Sequence, residues 1–183
     1  MRIRAIPTKY RGTIFRSTLE ADWAATLDTY KIDYQYEPEG LQLPSGEMYR
    51  PDFWLPRIRT YLEVKGLHGE RVHKPEELRW AVCCEGECDH RQPVGRGFVA
   101  WRMVVIGGPA NSDGRFNAQV PWVSTAFARC RVCSAWQWAT SFTDDELACR
   151  VCGERSVDSY ASFDPPRYVH GAIRQRASLA TPW

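Results

Sequence analysis

The chain has no apolar run approaching the roughly 18 residues that a membrane span requires, and its first residues lack the apolar core of a secretory leader. Both absences lead to the expectation of a soluble, cytoplasmic protein with no membrane association. A dominant sign of charge is missing as well: 24 Lys and Arg face 22 Asp and Glu, a formal net charge of +2. A balance of this kind gives no general attraction to nucleic acid, so any such contact must come from local clustering. One region is short of acids. Residues 2–16 hold Arg2, Arg4, Lys9, Arg11 and Arg16 with no Asp or Glu among them. Such a run either contacts phosphates, with Arg11 and Arg16 the candidate residues, or is a solvated, mobile terminus. What the chain has in quantity is apolar material: 44% of 183 residues, ample for one domain with a small appendage.

The most informative stretch runs from Tyr49 to Gly66. Two β-rich runs, Phe53 to Leu55 and Thr60 to Val64, flank a connection containing Pro56, the pattern of a tight strand pair. Side chains alternate along a strand, so Leu62 and Val64 share one face while Tyr61, Glu63 and Lys65 share the other. Asp52, after Pro51, lies where the first strand begins, and a twist or bulge there aims its carboxylate at Glu63. Two carboxylates beside a lysine supply hard oxygens of the kind Mg²⁺ or Mn²⁺ takes, together with a group that can orient or deprotonate water. The plainer alternative is a surface strand pair carrying one Glu63–Lys65 ion pair.

Pro51-Asp52 followed by Glu63-Val64-Lys65 resembles the signature of the PD-(D/E)XK nuclease superfamily. The surrounding Tyr-Glu-Pro-Glu and Tyr-Arg-Pro-Asp-Phe-Trp-Leu-Pro is similar to its phage and mobile-element members, and the likeness covers about residues 10 to 108. The resemblance implies a restriction-endonuclease-like α/β core with a central mixed β-sheet flanked by helices. It implies that Asp52, Glu63 and the Val64 carbonyl hold Mg²⁺ or Mn²⁺ and that Lys65 assists the attacking water. It implies metal-dependent DNA hydrolysis in a bacterial or phage setting, with DNA as partner and room for a homodimer or a recombination or packaging protein. A reading from another class stands beside it: a DNA-binding protein whose nuclease-like core is only a platform.

From Ser17 to about Tyr30 the spacing of Leu19, Trp23, Leu27 and Tyr30 predicts a helix, and Ser17-Thr-Leu-Glu20 is a capping box. Glu20 is accounted for by that cap. The resemblance offers the sharper alternative, a third carboxylate projecting from the first helix toward the strand pair. Tyr34–Tyr36, Leu41–Leu43 and Met48 onward read as short strands, with Pro44-Ser45-Gly46 a turn. Glu37 and Glu39 flank Pro38 in a loop, where they either reach the site or, the more common case, are solvated acids. His68, in a glycine-containing loop after the strand pair, and Lys74 complete the candidate phosphate contacts. Lys74 to Val82 reads as a short helix with Pro75 at its start, and Trp101 to Ile106 as a buried strand. A helix, a meander, a crossover helix and a buried strand make an α/β core with a mixed sheet.

Seven cysteines remain. Cys130-x-x-Cys133 and Cys149-x-x-Cys152, fifteen residues apart, have the spacing of a four-cysteine Zn²⁺ ribbon, with Trp136 to Phe142 forming its hairpin. Two disulfides are the alternative, which a reducing compartment disfavours. Cys83, Cys84, Cys88 and His90 are either a second metal group or free thiols in a loop. Trp136 and Trp138, two apart on one strand face, either pack the ribbon or stack on unpaired bases. The expected organisation is a nuclease-like domain over residues 1–118, a ribbon over 119–160, and a tail over 161–183 with a helix from Arg167 to Leu179. The core carries its own helix and sheet and is expected not to need the ribbon's ion.

Overall fold

The computed structural model describes residues 5–65, 73–83, 103–106, 125–140, 147–157 and 175–176. His68, the group formed with Cys84, Cys88 and His90, and most of the tail lie outside the described residues.

The acid-free amino-terminal run is a hairpin rather than a loose end. Strands β1 (Thr8–Tyr10) and β2 (Thr13–Phe15) pair antiparallel. Arg11 and Gly12 join them with φ of 45° and 87°, the pair of positive angles whose twist matches right-handed strands. Phe15 is carried into the core, and the chain turns directly into helix α1 (Thr18–Thr29), for which Ser17 is the cap. Its Oγ accepts the Glu20 N–H at 3.1 Å. Trp23, Ala24 and Leu27 face inward, as the 3.6-residue period requires.

After α1 the chain forms β3 (Gln35–Tyr36), the small hairpin of β4 (Leu41–Gln42) and β5 (Met48–Tyr49), then β6 (Phe53–Leu55) and β7 (Thr60–Val64). Helix α2 (His73–Cys83) begins two residues before Pro75, which the first helical turn tolerates. It leads to β8 (Met103–Ile106). The sheet order is β3-β6-β7-β8, antiparallel except for the parallel pair β7 and β8 that α2 connects. The protein is therefore mixed α/β, and among the described residues no helix is long and apolar enough to cross a membrane.

Alternation along β7 sorts its side chains between two cores. Leu62 and Val64 join Phe53, Leu55, Phe15 and the α1 residues in the larger one, while Tyr61 packs with Tyr49, Leu78 and Met103 beneath α2. The helices thus cover opposite faces of the sheet, and the strand ends between them are where polar groups collect.

Each Cys-x-x-Cys pair lies in the turn of its own hairpin. β9 (Thr125–Arg129) pairs with β10 (Trp136–Thr140) around Cys130 and Cys133, and β11 (Leu147–Ala148) pairs with β12 (Arg155–Val157) around Cys149 and Cys152. The expectation of one hairpin between the cysteine pairs is corrected to this arrangement, since Trp136–Thr140 finds its partner strand before Cys130. The ribbon is also seated on the core. Trp136 meets the Tyr30 ring edge-on at 5.1 Å, Arg150 Nε donates to the Ile58 carbonyl at 3.0 Å, and Arg57 donates to the Cys133 carbonyl at 3.3 Å. In the tail, β13 (Gln175–Arg176) is a strand on the edge of β1, where the sequence suggested helix.

Trp23 is 1% exposed in the larger core. Trp23→Ala is expected to cost about 3–5 kcal/mol, read as a lower urea midpoint with an unchanged slope.

Candidate functional site

The register of the sheet assembles a row of acids. β3 pairs Tyr36 with Phe53, and β6 pairs Phe53 with Leu62. One further step along each ladder sets Glu37 opposite Asp52 and Asp52 opposite Glu63, and Glu37 N–H donates to the Asp52 carbonyl at 2.8 Å. Cross-strand neighbours on one face lie about 5 Å apart at Cβ. Glu37 reaches the row with a positive φ of 45°, a strained conformation held by its surroundings.

Asp52 and Glu63 are 3% and 4% exposed. Asp52 Oδ2 accepts the Val64 N–H at 2.7 Å, which fixes its carboxylate across the end of β7, and its Oδ1 meets an Arg16 guanidinium nitrogen. Glu63 has both oxygens engaged: Oε2 by the Tyr49 hydroxyl at 2.6 Å, Oε1 by Lys65 Nζ. Glu20, 7% exposed, joins from α1. Its Oε1 accepts from Ser17 Oγ at 2.7 Å, and its Oε2 accepts from the Tyr36 hydroxyl at 2.6 Å and the Arg16 N–H at 3.2 Å. The Glu20 carboxylate thus meets the Ser17 hydroxyl and the Arg16 N–H at the start of α1, one residue before the backbone amide that a capping box would engage.

Arg16 is the hub. It sits at the junction of β2 and α1, and its Nε reaches Glu37 Oε1 at 2.8 Å while its fork also meets Asp52. Burial pulls its pKa down, but the charges of Asp52 and Glu20 push it further up, and the net shift is upward. Even so, the site is short of positive charge. Burial and the neighbouring charge of Glu63 push Asp52 up to about 7, against the backbone bond from Val64 and the smaller pull of Arg16. Four carboxylates (Glu20, Glu37, Asp52, Glu63) against Arg16 and Lys65 leave two negative charges when all are ionised.

That deficit is the charge of one divalent cation, and two carboxylates plus waters is a donor set Mg²⁺ accepts. Among the described residues, the four cysteines form the group of three or more potential ligands whose donor atoms all lie within 4.8 Å of one another. Glu20, Glu37, Asp52 and Glu63 form no such group, and the Arg16 guanidinium lies among them.

The other predicted phosphate contacts lie elsewhere. Arg11 pairs with Asp28 at 3.1 Å, two turns along α1 from Glu20, and Lys74 is held by Glu47 Oε2 at 3.0 Å and the Met48 carbonyl at 3.1 Å.

At the ribbon the four thiols form no disulfide and lie close together, with Cys130 Sγ 3.8 Å from Cys152 Sγ and Cys133 Sγ 3.5 Å from Cys149 Sγ. These separations are far beyond a disulfide bond of about 2 Å. They match the edge of a tetrahedron of sulfurs around an ion at about 2.3 Å, which is about 3.8 Å. The two turns are alike: Ser134 N–H and Gly153 N–H donate back to the Cys130 and Cys149 carbonyls, and both residues have positive φ, 59° and 78°. Burial pushes the Cys149 thiol up to about 12, so thiolates here require a cation. Gln137, fully buried, accepts the Arg150 N–H at 3.1 Å, and its Nε2 has no partner among the described residues.

Sequence reading placed Glu37 among solvated acids and gave no role to Tyr36 or Tyr49. Hairpin arithmetic carries a signal for the row, because antiparallel partners keep a constant sum of residue numbers. A second signal is the identical Cys-Arg-Val-Cys at 130–133 and 149–152, which marks the paired turns. No family model, curated protein or solved structure matches this chain.

The position of Asp52 has a pH consequence. Its raised pKa favours folding only while it is protonated, so that contribution is complete below about pH 4 and is lost as pH rises through about 7. Without divalent ions, Asp52→Asn is expected to be more stable than wild type at pH 8, with the difference closing toward pH 4, measured as urea midpoints across that range.

Proposed function

We propose that the chain is a metal-dependent DNA endonuclease that hydrolyses phosphodiester bonds, with a restriction-endonuclease-like core and a Zn²⁺ ribbon, acting in phage or mobile-element DNA processing. The observation that carries this reading is the pair of buried carboxylates, Asp52 and Glu63, facing each other across one hairpin with Lys65 on the same strand face. Buried acids left short of positive charge weaken a fold, and a bound cation would neutralise them.

Asp52, Glu63 and the Val64 carbonyl would hold the divalent ion. When bound, it supplies Lewis acidity toward a phosphoryl oxygen and lowers the pKa of water. The Val64 N–H fixes the Asp52 carboxylate, and the Tyr49 hydroxyl fixes Glu63 from the protein side. Lys65 reaches Glu63 at 2.5 Å and is one-fifth exposed, so the ammonium borders both the acid and the solvent from which water arrives. From that position it orients the attacking water and offsets charge developing on phosphorus. Glu20, held by Ser17 and Tyr36, adds negative charge behind the pair.

Asp52→Ala, Glu63→Ala and Lys65→Ala are each expected to lower cleavage by at least about 100-fold while leaving metal-free DNA binding largely intact. The measurement is a panel of duplex, flap, four-way-junction and single-stranded DNA with Mg²⁺, Mn²⁺ or a chelator. Absence of cleavage across the whole panel sinks the enzymatic reading. Salt-dependent binding insensitive to metal and to the acidic substitutions would then favour a DNA-binding platform.

For the ribbon, the ion is Zn²⁺, supported by the tetrahedral spacing of the four cysteine sulfurs. One Zn²⁺ per chain is expected by elemental analysis, and Cys149→Ser should abolish it. Because Trp136 and Arg150 tie the ribbon to Tyr30 and Ile58, loss of the ion should also raise amide exchange over residues 53–64. Unchanged exchange there would restore the expectation of an independent core.

A further inference from the structure

Arg16 occupies a position that the proposed metal site cannot leave to it. Its fork bridges Glu37 and Asp52, its backbone N–H holds Glu20, and its side chain remains 57% exposed. A divalent cation and a guanidinium compete for the same Asp52 oxygen, and their like charges repel at close range. Glu37 is different. It is not one of the paired buried acids, its carboxylate is more exposed than that of Asp52, and its own link to Arg16 runs through Nε and not through the nitrogen on Asp52. When Asp52 is taken by an ion, Glu37 still tethers Nε, and the freed face of the fork is turned to solvent at the edge of the site.

We propose that Arg16 is a resident counter-cation of the acid row, displaced from Asp52 by a divalent ion and kept by Glu37 as the group that grips a DNA phosphate. The inference rests on the nuclease reading above and adds to it a coupling: the metal makes the phosphate-binding residue available. A planar guanidinium suits this task because its paired N–H donors match phosphate oxygens as well as carboxylate ones. The same residue therefore neutralises the acids in the metal-free protein and the substrate in the metal-bound one. The basic hairpin that carries Arg16 ends directly at the site, so the displacement needs only side-chain rotation.

The test uses the full chain and Ca²⁺, with calorimetry for ion binding and fluorescence anisotropy of a labelled duplex oligonucleotide for DNA binding. Arg16→Gln is expected to bind Ca²⁺ about tenfold more tightly than wild type, the effect of removing one competing ion pair. Arg11→Gln removes the same charge at Asp28 and should leave Ca²⁺ affinity unchanged. For DNA, Arg16→Gln should weaken binding about tenfold with Ca²⁺ present and less than about twofold without it, since without the ion the fork is held by Asp52. Glu37→Gln, which keeps Asp52 and Glu63, should lose most of the Ca²⁺-dependent gain in DNA affinity even when Ca²⁺ is saturating. Equal loss of DNA affinity with and without Ca²⁺, or a Ca²⁺ affinity indifferent to Arg16, overturns the proposal while leaving the metal site standing. Ca²⁺ binding that is absent from wild type and Arg16→Gln alike, or unaffected by Asp52→Asn, overturns the metal reading and this inference with it.

Discussion

Two carboxylates almost wholly removed from solvent and set opposite each other across one hairpin demand positive charge, and the surrounding structure is arranged around that demand. Arg16 arrives from the end of the first hairpin, Lys65 from the end of β7, and phenols from Tyr36 and Tyr49 supply neutral hydrogen bonds where no further cation fits. The supply is incomplete. Burial and the charge of Glu63 still lift Asp52 to about 7, so without another cation its ionised form is held less favourably than that of an exposed aspartate. A group this poorly neutralised weakens the fold at neutral pH, and the sheet tolerates it because apolar packing on both faces supplies the stability.

That packing also explains why the acids sit where they do. The two cores beneath α1 and α2 claim Tyr61, Leu62 and Val64 of β7, and Asp52 and Glu63 lie one step past the last β6–β7 pair, where polar groups find backbone partners. The Val64 N–H, the first ladder donor beyond the β6 pairing, is taken by a side chain instead of a strand. The site is thus built from the terminus of the hydrogen-bond ladder, and its precision comes from the register of the sheet.

The ribbon contributes at a distance. Its two knuckle-like turns bring four thiols to tetrahedral spacing, and its contacts land on the short Pro56–Ile58 turn that joins β6 to β7. The strands carrying Asp52 and Glu63 diverge from that turn, so bracing it at one end limits twisting of the pair at the other. An appendage too small for a core of its own is thereby linked to the hairpin on which the acids depend.

The local choices were legible in the chain itself. Ser17 and Glu20 marked the start of α1, the alternation of Thr60–Val64 marked β7, and the paired Cys-x-x-Cys spacings marked the thiol cluster, because caps, strand faces and metal turns are set by residues within a few positions of one another. Which acids share a site was not legible. Glu37 looked like a solvated loop residue and Arg16 like part of a mobile basic end, since their roles depend on β3 lying beside β6 and on the first hairpin delivering the arginine there. Gln175–Arg176 likewise read as helix locally but form an edge strand, because β1 offers them unpaired backbone groups. Sequence determined each element's type and chemistry; only the tertiary structure decided which charges face one another, because that is fixed by strand register and packing between segments far apart in the chain.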